Sequence, residues 1–151
     1  MQNPPAGWPR IIPALFYQDA AQALDWLCRA FGFELRLRID GANGRVEHSE
    51  LAFGEGVIMV GSARDATTGA DRAWCASPKQ LGGSSTHSLT VCIDDVDAHC
   101  RRARAAGAKI TAEPSVQDYG PEHGAYHSYR AVDPEGQQWY FMRCVREPAK
   151  P

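Results

Sequence analysis

Apolar residues fall along the chain in two periods that alternate twice. Arg10 to Tyr17 is a mostly apolar run of strand length. After it, Ala23, Leu24, Leu27, Ala30 and Phe31 recur at the three-and-four spacing that gathers side chains on one face of a helix. Asp19 stands before that run, where a carboxylate accepts from the free N–H groups of a first helical turn. Gly32 stands after it, where glycine takes a left-handed conformation without a Cβ clash. From His87 to Ile93 strict alternation returns, with Leu89, Val91 and Ile93 on one face. Helical spacing resumes with Val96, Cys100, Ala103 and Ala106, behind a cap at Asp94 or Asp95, and Gly107 closes it. Asp19 and Gly32 thus recur 75 positions later as Asp94 and Gly107.

The later segments repeat as well. His48 to Gly56 leads into Val57–Val60, and His127 to Gly136 leads into Gln137–Met142; each pair reads as strand, glycine-containing hairpin, strand. His48 and Ala52 recur 79 positions later as His127 and Ala131, and the hairpin glycines Gly56 and Gly136 are 80 apart. Each half therefore reads strand, helix, three strands, with the strand just after each helix carrying the weakest signal. The expected fold is α+β, one domain over 10–145 made of two tandem βαβββ modules, 10–62 and 86–145. A linker, 63–85, rich in Gly, Ser, Thr and Asp, joins them, and 1–9 and 146–151 read as frayed termini.

Alternation also assigns faces. Leu89, Val91, Ile93, Ile58, Val60, Trp139 and Phe141 are expected under the helices. Ile12, Ala14, Phe16, Val57, Met59, Gly61, Ser88, Thr90, Cys92, Gln138, Tyr140 and Met142 are expected on the opposite face, although a slip of one residue would invert any strand.

Composition narrows the function classes. The chain has 151 residues, enough for one core without staples, and 16 basic against 18 acidic residues argue against a nucleic-acid binder. No apolar run reaches the roughly 18 residues of a membrane span, and the proline-rich N-terminus does not read as a signal peptide. The cysteine count is five, widely spaced and without a Cys-x-x-Cys pair, which points to reduced thiols and a cytoplasmic address. The charged run Asp97, Arg101, Arg102 and Arg104 reads as a solvated helix face.

The ordered pieces Tyr17-Gln-Asp19…Phe31-Gly-Phe33, Ile93-Asp-Asp-Val-Asp97…Ala106-Gly-Ala108 and Val132-Asp-Pro-Glu-Gly136…Trp139-Tyr-Phe141 resemble the vicinal oxygen chelate superfamily over about residues 10–145. That group includes glyoxalase I, extradiol dioxygenases and bleomycin-resistance proteins. The resemblance implies a half-open barrel from each module, helices outside, and a cavity often completed in a homodimer. It also implies a metal site with ligands from the first and last strands of each module. Those positions here are Ile12, Met59, Ser88 (or His87, by one residue) and Tyr140, which are poor ligands for a hard divalent ion. No metal ligands are therefore assigned and no cofactor is expected, with a divalent metal kept as the alternative.

Other residues offer chemistry. His48 and Glu50, two apart on one strand, share a face and can act as an acid–base pair or as polar anchors. His127 and Tyr129 are expected on the matching face of the second module, and His99 and His123 are expected to be exposed. The stretch 117–126, with Tyr119 and two carboxylates, and Trp74 in the linker could line a pocket mouth suited to a cationic aromatic molecule. The candidate ligand-binding set is Phe16, Met59, Trp74, Ser88, Thr90, Tyr119, His127, Tyr129 and Tyr140, with His48 and Glu50 as candidate catalytic residues. Three functions fit: a small-molecule binder, with resistance by sequestration as one use; a lyase, isomerase or dioxygenase; or a partner-interaction domain. The expected partners are a small ligand and a second copy of the chain, without nucleic acid or membrane.

Overall fold

A computed structural model describes residues 2–149. Met1, Lys150 and Pro151 lie outside the described residues, and with them that part of the expectation about the termini. The chain divides into two units, with the boundary between Ser84 and Ser85. Each holds one four-stranded mixed sheet and one helix, so the architecture is α+β with two tandem βαβββ modules. Neither sheet closes on itself; each is a half-open barrel wall with its helix on one side.

In the first unit, β1 (Ala14–Tyr17), β2 (Glu34–Asp40), β3 (Val46–Phe53) and β4 (Gly56–Ser62) lie in the order β1-β4-β3-β2. The β1–β4 pair is parallel and the others antiparallel. Helix α1 (Ala20–Phe31) starts where Asp19 accepts from the Gln22 N–H at 2.9 Å and stops at Gly32, whose φ of 84° is left-handed. It packs against all four strands. Leu24, Leu27 and Phe31 on the helix and Leu15, Tyr17, Leu51 and Val60 on the sheet are all buried, and each large apolar side chain so buried stabilises the fold by about 1.5–3 kcal/mol.

The linker belongs to this unit. It folds into two short 3-10 turns, Ala70–Arg72 and Pro78–Leu81, the second capped at its N-terminal end by reciprocal hydrogen bonds between Ser77 and Gln80. Arg64 N–H donates to the Cys75 carbonyl at 2.6 Å, and Cys75 and Ser77 are buried.

In the second unit, β5 (Ser88–Cys92), β6 (Lys109–Asp118), β7 (Ala125–Val132) and β8 (Gln138–Arg146) repeat that order as β5-β8-β7-β6. Helix α2 (Val96–Ala105) is capped by Asp95, which accepts from Ala98 N–H at 2.9 Å. Val96, Cys100 and Ala103 are its buried stripe. Pro114 sits within edge strand β6, where a missing N–H is tolerated, and the β6–β7 register shifts between Ala112 and Ser115.

The turn between β7 and β8 is built on Asp133. One carboxylate oxygen accepts from the N–H groups of Glu135, Gly136 and Gln137, each at 3.0 Å. The other accepts from Trp139 Nε1 at 3.1 Å. This turn pins the start of β8 and the largest buried side chain of the unit.

Candidate functional site

Two rows of side chains point away from α1 across the first sheet. Ala14, Met59, Glu50 and Leu37 are successive cross-strand partners, and Phe16 sits beside Gly61 one step along. His48 and Glu50 share this face, as their spacing requires. Glu50 is only 5% exposed. His48 Nε2 lies 3.3 Å from its Oε1, so a ring N–H donates to the carboxylate. The other oxygen, Oε2, has Arg36 Nε at 4.0 Å, an ion pair too long for a hydrogen bond.

Arg36 escaped the sequence reading. Strict alternation would place it opposite Leu37 and away from Glu50. The β2–β3 register shifts between Leu35 and Leu37, and such a bulge re-aims a side chain. Arg36 Nη1 also donates to the Gly7 carbonyl at 2.8 Å, so the N-terminal segment crosses this face of the sheet. Beneath that segment lies an open pocket of about 450 Å³, lined by Trp8, Pro9, Arg10, Ile12 and Met59 among others. Its volume is in the range of small-molecule sites. At the other end of the face, the Trp74 ring meets Phe16 edge-on at 5.3 Å and remains 69% exposed. Phe16, Met59, Trp74, His48 and Glu50 therefore share one surface within the first unit.

In the second unit, Ser88, Thr90 and Tyr140 share the face away from α2: Thr90 is the cross-strand partner of Tyr140, and Ser88 of Gln138. The Tyr140 hydroxyl shares a hydrogen bond with Ser128 at 2.9 Å, and Arg130 stands opposite Tyr140 on β7.

His127 and Tyr129 lie on the other side, contrary to the expected match with His48 and Glu50. Tyr129 is the cross-strand partner of Phe141, in the core under α2. The cause is a one-residue slip: β7 aligns with β3 at the hairpin-glycine spacing of 80, where Arg130 and Ser128 take the places of Glu50 and His48.

His99 is not exposed as expected. It is half-buried on α2, shares a 2.6 Å hydrogen bond with Tyr129 and lies 4.4 Å from the Phe141 ring. His127 Nε2 stands 4.0 Å from Asp97, a long pair at the surface end of the same cluster.

Burial pushes the Tyr129 phenol well above its ordinary value of 10. The native chain thus keeps a proton that the unfolded chain gives up near that pH. Stability carried by Tyr129 is complete below pH 10 and declines as pH rises beyond it. Urea melts between about pH 9 and pH 11 should show a steeper alkaline loss for the native protein than for Tyr129→Phe; parallel curves would count against this account.

Tyr119 lies in the turn after β6, exposed and 6.3 Å from Tyr126. Nearby Asp118 forms a two-pronged pair with Arg146 and accepts from Gly120 N–H, which holds its carboxyl down at about 2. Asp118 is thus engaged within the protein, while Glu122, the other carboxylate of this stretch, is exposed.

Among the described residues, no three His, Cys, Asp or Glu side chains converge as a metal-binding group. No helix among them is long and apolar enough to cross a membrane.

Residues 11–141 match the family model of the glyoxalase/bleomycin resistance protein/dioxygenase superfamily. The chain belongs to this superfamily. TioX from Micromonospora sp. ML1 superposes with a TM-score of 0.64 at 32% identity, over 91% of this chain and 99% of TioX. A superfamily protein from Nocardioides has the same fold, with a TM-score of 0.62 at 19% identity, over 95% of this chain and 87% of its own. An uncharacterized protein of Mycobacterium bovis is 29% identical over 139 residues, 92% of this chain and 86% of that protein. Of the positions that the resemblance assigns to metal ligands, Ile12 and Met59 line the pocket, Tyr140 offers a hydroxyl group, and the third is Ser88 or the neighbouring His87, a set that is poor in ligands for a hard divalent ion.

Proposed function

We propose that this superfamily member is a small-molecule binding protein. It holds a flat, largely apolar ligand against the face of the first sheet that carries Met59 and Phe16, with sequestration of a toxic compound as its use. The observation that carries this reading is the pocket of about 450 Å³, whose lining of Gln2, Asn3, Pro4, Trp8, Pro9 and Arg10 also includes Ile12 and Met59, at positions where metal-using relatives would need ligands. Trp8 on one side and the Phe16–Trp74 pair beyond it supply aromatic surface. Glu50 supplies an acceptor for one ligand N–H or O–H. Superfamily members often bind small ligands and form dimers, and a homodimer is the assembly proposed here.

The 3.3 Å pair of His48 and Glu50 supports a second reading, metal-free acid–base catalysis with Glu50 orienting the imidazole.

Tryptophan fluorescence tests both. Trp26 and Trp139 are buried, so quenching by a neutral planar aromatic library reports on Trp8 and Trp74. Saturable quenching, weakened at least tenfold by Trp8→Ala (about 1.4 kcal/mol), is expected. Consumption of the bound compound would favour the enzyme. Absence of saturable quenching across neutral and cationic aromatics would overturn both readings.

A further inference from the structure

Three sulfur-bearing side chains lie together on the second sheet, on the face turned away from α2. Cys92 closes β5 and is the cross-strand partner of Met142 on β8. The register is secured by the Ile93 N–H, which donates to the Met142 carbonyl at 2.9 Å. Cys144 stands two residues beyond Met142 on the same strand and so faces the same way. Cys92 is exposed, Cys144 half-buried, and both are free thiols. The Cys144 thiol is pushed up chiefly by desolvation and by Glu147, with Cys92 adding to the effect.

The spacing favours a bridging ion over a disulfide. One strand separation and two residues of rise put the Cα atoms of Cys92 and Cys144 about 8 Å apart. Disulfides need roughly 4.4–6.8 Å, whereas an ion with metal–sulfur bonds of roughly 2.3 Å spans the larger gap. Two thiolates and a thioether are a soft donor set, which selects Cu(I) over harder divalent ions.

We propose that Cys92, Met142 and Cys144 form a binding site for a soft monovalent cation, Cu(I). Binding displaces the two thiol protons and changes no oxidation state.

The test is an anaerobic titration of the reduced full-length protein with Cu(I), in competition with bicinchoninate. One ion taken per chain is expected. Cys92→Ser and Cys144→Ser should each abolish uptake, Met142→Leu should weaken it, and Cys28→Ser should leave it intact. Thermal melts establish that each variant is folded; because Cys92 is exposed, its variant keeps the test valid even if Cys144→Ser unfolds. Full uptake by folded Cys92→Ser, or none by the native protein, would overturn the proposal.

Discussion

Replacing Asp133 by alanine is expected to cost about 3 kcal/mol and to lower the melting temperature by roughly 6–12 °C. The carboxylate is buried and serves three backbone N–H groups and the indole of Trp139. The N–H groups of Glu135 and Gly136 can turn to water after the substitution. Those of Gln137 and Trp139 cannot, because both residues are buried, and stranded donors lose their full hydration. Asp133→Asn separates the contributions. It keeps an acceptor for the turn but directs an amide N–H at the indole N–H, so it should fall between the native protein and the alanine variant. Thermal unfolding followed by near-ultraviolet circular dichroism reads both. A melting point for Asp133→Ala within roughly 2 °C of the native value would refute the argument.

Glu50→Leu is expected to weaken binding of donor-bearing aromatic ligands by about ten- to a hundredfold, the worth of a hydrogen bond to a charged group (about 1.5–3 kcal/mol). Stability should change far less. The head groups that Glu50 partners, His48 and Arg36, keep 33% and 30% of their side-chain surface in water, so they rehydrate when the carboxylate is lost. Ligand titration against matched compounds with and without an N–H or O–H group distinguishes the role. Equal affinities of native and variant proteins for the donor-bearing member would remove Glu50 from the binding site.

The alternation of Leu89, Val91 and Ile93, and the cap-to-glycine frames around α1 and α2, made both modules legible, because periodicity reports which face of an element meets the core. The second-module face was misjudged for a definite reason. β7 aligns with β3 at a spacing of 80 and not at the 79 that pairs His127 with His48, and one residue reverses a strand. Arg36 was hidden differently. Leu35-Arg36-Leu37-Arg38-Ile39 alternates cleanly, and only the pairing with β3 reveals the bulge that turns Arg36 toward Glu50. Contacts such as Arg36 with Gly7 and His99 with Tyr129 join residues 29 and 30 positions apart, beyond the reach of any local pattern.

Strand β2 has a consequence for how this protein behaves in a crowded solution. It is one of the two outer strands of its sheet, with Leu35, Leu37 and Ile39 each about half exposed. Such an edge invites another chain to add itself as a fifth strand. Two breaks in register bend the ladder away from flatness, and the guanidinium groups of Arg36 and Arg38 set like charges along it. Arg36 thus has two settings at once: it faces Glu50 on the proposed binding surface, and it puts a charge on an edge where strand addition would otherwise be favoured.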